Sequence, residues 1–244
     1  MLRMEGELGP GKHATAVYWR SDTFKKTETW DTDWPGFWLH PTAVTLRLRD
    51  AEDIEVVCGS AHLSYAACTD RAGEAENLLR LPDRVHTPDD EQRRKAPVLA
   101  LGLDGNSYAD ETGRVPGEPG APRPEQIKDV QHLAHRSRHA PSGERIMDCE
   151  PHRILTGGGL TDTARFHAHH SGQADPVAAT SEAKPAQGPA TRIDFLFTSG
   201  LLASALTRVE VVPMTGLSDH HTVLAEWDLT LLIEICRDHF GLAA

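Results

Sequence analysis

The chain has 244 residues, with 25 Lys and Arg against 36 Asp and Glu, a formal net charge of −11. That length suits one large α/β domain, or at most two small ones, able to fold without a disulfide or metal staple, and 25% charged with 39% hydrophobic residues excludes collagen-like, coiled-coil and wholly disordered chains. So acidic a surface also excludes a protein that coats nucleic acid non-specifically, while a local basic groove stays open.

Thr15–Arg20 and Ala43–Arg49 alternate apolar with polar residues and predict half-buried strands. Between them Trp30, Trp34, Phe37 and Trp38 read as a packed connection, with base stacking on one ring as the sharper alternative. Ile54–Leu63 predicts a strand with His62 near its end. Thr69–Leu81 spaces Ala72, Ala75, Leu78 and Leu79 for a helix. Val98–Leu103 is a short, continuous apolar run, the pattern of a central strand covered on both faces. Pro124–His135 and Thr161–His167 predict helices. Gly157, Gly158 and Gly159 read as a loop, because no strand precedes them and no Lys-Ser/Thr follows. Ile193–Thr198, Arg208–Pro213 and Thr222–Leu229 predict strands, and Leu229–Phe240 is either a continuation of the last strand or a helix. Asp110–Arg123 and Ser171–Pro189, rich in Gly, Pro, Ala and Ser, predict loops or linkers. The expectation is one α+β domain over 1–244, with a loop-rich insertion at about 110–190.

Compartment signals agree with one another. Cys58, Cys68, Cys149 and Cys236 have no C-x-x-C spacing and read as packing thiols of a reducing compartment. The start lacks a secretory apolar region, and no run of about 18 apolar residues predicts a membrane span. A cytoplasmic protein is expected.

Polar clusters fall at the ends of predicted strands, where loops hold functional groups on a rigid scaffold. They are Ala61-His62-Leu63, Asp104-Gly105-Asn106-Ser107, Arg192-Ile193-Asp194-Phe195 and Ser218-Asp219-His220-His221. Their chemical content is that of a metal-assisted phosphodiesterase. Asp104 and Asp219 are hard oxygen ligands for Mg²⁺ or Mn²⁺. His220 suits a general base on water, with Asp194 holding its tautomer. Asn106 and His62 suit hydrogen bonding to non-bridging phosphate oxygens. Strand alternation turns His221 away from its neighbour. The histidines at 132, 135 and 139, and at 167, 169 and 170, lack a completing ligand spacing and read as a solvated, Arg-interleaved face. Its basic patch, with Arg136, Arg138, Arg145, Arg153 and Arg165, is a candidate contact for a phosphate backbone.

The ordered set strand–HL, strand–D-x-N, R-I-D-F and S-D-H resembles the endonuclease/exonuclease/phosphatase superfamily, the DNase I-like fold, over roughly Ala14 to Leu229. The resemblance implies a two-sheet β-sandwich flanked by helices and divalent-metal hydrolysis of phosphoester bonds, nucleic acid being one candidate substrate. It implies that His62 contacts phosphate and that Asp104 and Asn106 are the catalytic Asp and Asn. Asp194 then partners the base, Asp219 is a metal-site carboxylate and His220 is the base. The sequence departs from the family in four places. The family's first strand, ending in Asn, and its second, carrying the chief metal-ligand Glu, have no counterpart. Glu5 and Glu7 lie in MEGELGPG, which is expected to lack a strand. The Gly that directly precedes the catalytic Asp is displaced to Gly102, and Thr222 stands where the family often has Pro. These departures imply an N-terminally incomplete domain with a depleted metal site. They leave a second reading, a catalytically impaired module that binds a phosphate ligand, and a third, a His-rich metal-binding protein unrelated to phosphoesters.

Overall fold

A computed structural model describes residues 1–8, 14–82 and 98–242 of the chain. Its centre is a six-stranded mixed sheet in the order β3 (Phe24–Thr29), β4 (Thr42–Leu48), β5 (Glu55–His62), β6 (Val98–Asp104), β10 (Asp194–Thr198) and β9 (Thr161–Asp162). Only β5 and β6 run parallel; the crossover between them contains α1 (Cys68–Leu78).

β6 is buried on both faces, as its continuous apolar run predicts. Leu99, Leu101 and Leu103 join one core with Val57, Phe195 and Phe197, under Ala75 and Leu78 of α1 and Leu155 of α3 (Glu150–Gly157). On the opposite face Val98 and Val56 meet Leu202 of α5 (Gly200–Ser204) and Leu232 and Cys236 of α6 (Leu229–Phe240). The tail left open by periodicity is therefore helical. Asp228 accepts a hydrogen bond from the Leu231 amide and starts the helix, and Gly241 in the left-handed conformation ends it.

The second layer consists of two separate hairpins, β1 (Leu2–Leu8) with β2 (Ala14–Arg20), and β11 (Leu206–Val212) with β12 (Thr222–Trp227). Trp19 of β2 packs on Val44 and Leu46 of β4, while Val209 of β11 packs on Ala164 and Ala168 of α4 (Thr163–Ser171). A short hairpin, β7 (Ser137–His139) with β8 (Arg145–Met147), follows α2 (Val130–His135). Among the described residues no helix is long and apolar enough to cross a membrane.

Two expectations are corrected. The MEGELGPG window does carry a strand, because Leu2–Leu8 pairs along its whole length with Ala14–Arg20; residues 9–11 lie outside the described residues. The helix expected over Pro124–His135 is broken into a 3-10 turn at Pro124–Gln126 and α2. The break follows from Lys128 and Asp129, whose amides both donate to the Ala186 carbonyl. Asp129 then restarts the chain by accepting from the Gln131 and His132 amides.

The segment between β6 and β10 is largely irregular, yet it is anchored. Val115 and Val177 are core residues, and β9 extends the main sheet. A buried ionic network closes this region: Glu118 accepts from Arg165 and Arg192, and Asp162 accepts from Arg192 and His152.

Candidate active site

Register alone assembles most of the site. His62 at the end of β5 pairs with Asp104 at the end of β6, and Asp104 pairs with Asp194 at the start of β10. In-register neighbours share a face, so the three side chains form one row across three strands. Val56 and Cys58, at even steps from His62, contact the α6 and β2 side of the sheet, so the row faces the second layer. His220, two residues before β12, closes on that row.

The His220 Nδ1 lies 3.0 Å from both Asp194 oxygens and 4.0 Å from Asp104 Oδ2. His62 Nε2 lies 3.4 Å from Asp104 Oδ2, and its buried Nδ1 has no hydrogen-bond partner among the described residues. The hydrogen bond to Asp194 pushes the His220 imidazole up to about 9. Burial pushes the Asp194 carboxyl above its ordinary range, opposed by the His220 hydrogen bond.

The turn after β6 positions Asn106. Gly105 passes so close to Phe195 and the Ile193 carbonyl that an added Cβ would stand 3.0 Å from the ring and 3.2 Å from the oxygen. Asn106 takes a left-handed φ of 47°, a conformation Asn tolerates better than most residues. Its amide N–H donates to Asp104 Oδ1 at 2.9 Å, its Nδ2 donates to the Leu63 carbonyl at 2.8 Å, and its Oδ1 accepts from Arg136 at 2.6 Å.

Two positions outside the predicted set hold the site. Arg136, nine-tenths buried, fixes the Asn106 amide and lines a polar cleft of about 70 Å³ with Tyr108, His132, Lys184 and His220. Sequence reading placed Arg136 only in a general basic patch. Thr180, fully buried in a stretch that reads as a linker, accepts from the Ile193 and Asp194 amides through its hydroxyl and from the His221 amide through its carbonyl. It ties the Asp194 strand to the His220 turn.

The predicted residues therefore divide. His62, Asp104, Asn106, Asp194 and His220 come together. Asp219 lines the same cleft as His220 but lies outside that close group: it is half-exposed, and Lys184 donates to its Oδ2 at 2.6 Å. His221 turns away, accepting from the Met214 amide. Glu5 pairs with Lys26, which aligns through Leu46 and Val56 with Val98, at the end of the sheet away from Asp104. Asp104, Asp194 and His220 offer ligand atoms within 4.8 Å of one another, the only such group among the described residues. Two hard carboxylates beside an imidazole fit a cation that keeps several of its waters, as Mg²⁺ does.

No family model matches the sequence, and no curated protein matches it. Solved structures do. A 3′ phosphatase, NExo from Neisseria bound to product DNA hairpin, superposes with a TM-score of 0.54 at 15% identity over 93% of this chain and 79% of that one. An AP endonuclease from Archaeoglobus fulgidus gives 0.57 at 11% identity over 93% and 80%. A mannosyl-6-phosphatase from Bacteroides thetaiotaomicron gives 0.52 at 14% identity over 93% and 77%. The chain has the DNase I-like fold of the endonuclease/exonuclease/phosphatase structures.

Proposed function

We propose that this protein hydrolyses phosphoester bonds, and that His62, Asp104, Asn106, Asp194 and His220 are its catalytic set. The observation that carries the reading is the row His62–Asp104–Asp194 with His220 closed onto it. A divalent cation, Mg²⁺ or Mn²⁺, held by Asp104 with Asp194 would supply charge neutralisation for a bound phosphate. In its neutral form, reached in metal-free protein as pH rises through about 9, His220 takes the proton from an attacking water, and Asp194 holds its ring in the tautomer with the proton on Nδ1, leaving Nε2 to accept. Asn106 and His62 donate to non-bridging oxygens, where charge grows in the transition state. The four cysteines are free thiols, in line with our placing the protein in the cytoplasm.

Lys184 on Asp219 favours the second reading, a module that binds phosphate without hydrolysing it, because it occupies the carboxylate expected to complete the cation site. One experiment separates the two. With Mg²⁺, bis(p-nitrophenyl) phosphate is expected to be hydrolysed, EDTA to abolish turnover, and His220→Ala to lower kcat by roughly 10²- to 10⁴-fold. Turnover unchanged in His220→Ala overturns the assigned base, and binding of inorganic phosphate without turnover under any divalent metal establishes the binding module.

A further inference from the structure

The aromatic connection before β4 divides on folding. Trp34 and Phe37 are buried core residues, whereas Trp38 is 44% exposed. Trp38 meets Tyr65, itself 48% exposed, with ring centroids 4.9 Å apart, and Tyr65 meets the His135 ring edge-on at 5.6 Å. Single exposed aromatics need no explanation, but two adjoining exposed rings backed by a half-buried third are a mark of a binding surface.

This run joins the catalytic set through the chain itself. Tyr65 follows His62 by three residues, and the intervening Leu63 carbonyl accepts from Asn106. His135 ends α2, whose His132 lies one turn earlier in the cleft beside His220. The next residue, Arg136, donates to Asn106. A buried carboxylate also fixes the two loops that present the rings: Glu74 accepts from the Trp38 amide at 3.0 Å and from the Ser64 amide at 2.7 Å. Rings held this way lose little freedom when a ligand stacks on them. Just beyond His135 in the chain, the β7–β8 hairpin carries Arg138, which pairs with Glu150, and Arg145, which donates to Ser137. Aromatic faces with basic side chains beside a phosphate site match a polyanion whose flat groups are unpaired.

We propose that Trp38, Tyr65 and His135 form a stacking platform for unpaired bases, so that the substrate of the hydrolytic site is single-stranded nucleic acid. The proposal rests on the phosphoester reading above and names its substrate class.

The test compares two labelled, phosphorothioate-linked oligomers of equal length in Mg²⁺, an oligothymidylate and its abasic counterpart. Fluorescence anisotropy should show the thymidylate binding more tightly, with quenching of tryptophan emission. Trp38→Ala and Tyr65→Ala, checked for folding by circular dichroism, should each weaken thymidylate binding about tenfold while leaving abasic binding in place. Tyr65→Phe, which keeps the ring, should restore the preference. Equal affinity of the native protein for the two oligomers, or an undiminished preference in the Trp38→Ala/Tyr65→Ala double variant, overturns the platform. So does tighter binding of a free sugar phosphate than of the thymidylate. A protein that stacks thymidylate on these rings yet turns over no phosphodiester keeps the platform and overturns only the hydrolytic reading.

Discussion

His220 shows how one hydrogen bond sets a residue's chemistry. Its Nδ1 sits 3.0 Å from both oxygens of Asp194, with Asp104 close behind, so its protonated form is favoured and its proton is held up to about 9. In metal-free protein, an NMR titration of the His220 ring is expected to report a midpoint near 9, and Asp194→Asn should bring it down towards the ordinary value of about 6.5. The sign of the stability linkage follows. An unfolded chain releases this proton at about pH 6.5, so the contribution of the pair is fully present below that pH and is lost as pH rises through about 9. A midpoint unmoved by Asp194→Asn would remove Asp194 as the cause. These residues were legible because each ends or opens a predicted strand: His62 after an apolar run, Asp104 after another, Asp194 in R-I-D-F. Arg136 and Thr180 were not. A buried Arg bonded to an amide thirty residues earlier, and a Thr whose hydroxyl caps two amides across a loop, leave no periodicity and no motif.

At the scale of elements, what burial patterns in sequence could be read, and what solvent patterns could not. The strands from Ala14, Thr42, Glu55, Val98 and Asp194 each bury apolar side chains and match the windows predicted for them. β3, Phe-Lys-Lys-Thr-Glu-Thr, is an edge strand with mostly exposed side chains, so its sequence carries charge in place of alternation, which also discourages edge pairing. β1 escaped for the same reason, with exposed Leu2 and Met4 among charges. α3 begins at Glu150-Pro151 and ends in glycines, and its one buried residue in the apolar core is Leu155, too little for a helical pattern to be read from sequence. α2 is the element on which the site and the aromatic run both depend, and it has only six residues. So short a helix has little stability of its own, which gives its N-cap unusual weight. Asp129→Ala removes the acceptor for the Gln131 and His132 amides and is expected to cost about 1 kcal/mol in chemical denaturation. It should also raise hydrogen exchange at the His132 to Arg136 amides well above the change seen in β5 and β6, and uniform exchange across these elements would show that tertiary packing alone holds α2.

Across the whole molecule, the same acidic and basic residues that give a net charge of −11 are sorted by depth. Exposed pairs such as Arg20–Asp22 and Arg208–Glu226 contribute little. The buried network does more, because it joins pieces far apart in sequence: Glu118 from the loop after β6, Arg165 from α4, Arg192 from the approach to β10, Asp162 at the end of β9, and His152 from α3. Glu118 also accepts from the Val115 amide, and Asp162 from the amides of Ala164 and Arg165, so both carboxylates have their oxygens satisfied. Burial by itself would raise the Asp162 carboxyl. The Arg192 charge and the His152 hydrogen bond outweigh it and hold Asp162 well below the usual carboxylate range. His152 is pushed below its ordinary range by burial, against the opposing pull of Asp162. Both shifts have one sign: in acid the unfolded chain binds protons that the folded chain refuses, so stability rises with pH wherever they titrate. His152 contributes stability that is lost as pH falls below about 6.5, and Asp162 stability that is lost below about pH 4. At pH 7, Asp162→Asn leaves Arg192 with one fewer charge partner in a buried setting and is expected to cost roughly 3–5 kcal/mol, read from urea midpoints. Between about pH 5 and pH 3 the variant should lose stability less steeply than the native protein, since one of the groups that drives the acid loss is gone. Parallel pH profiles for the two proteins would place the acid sensitivity elsewhere and leave the network a packing device alone.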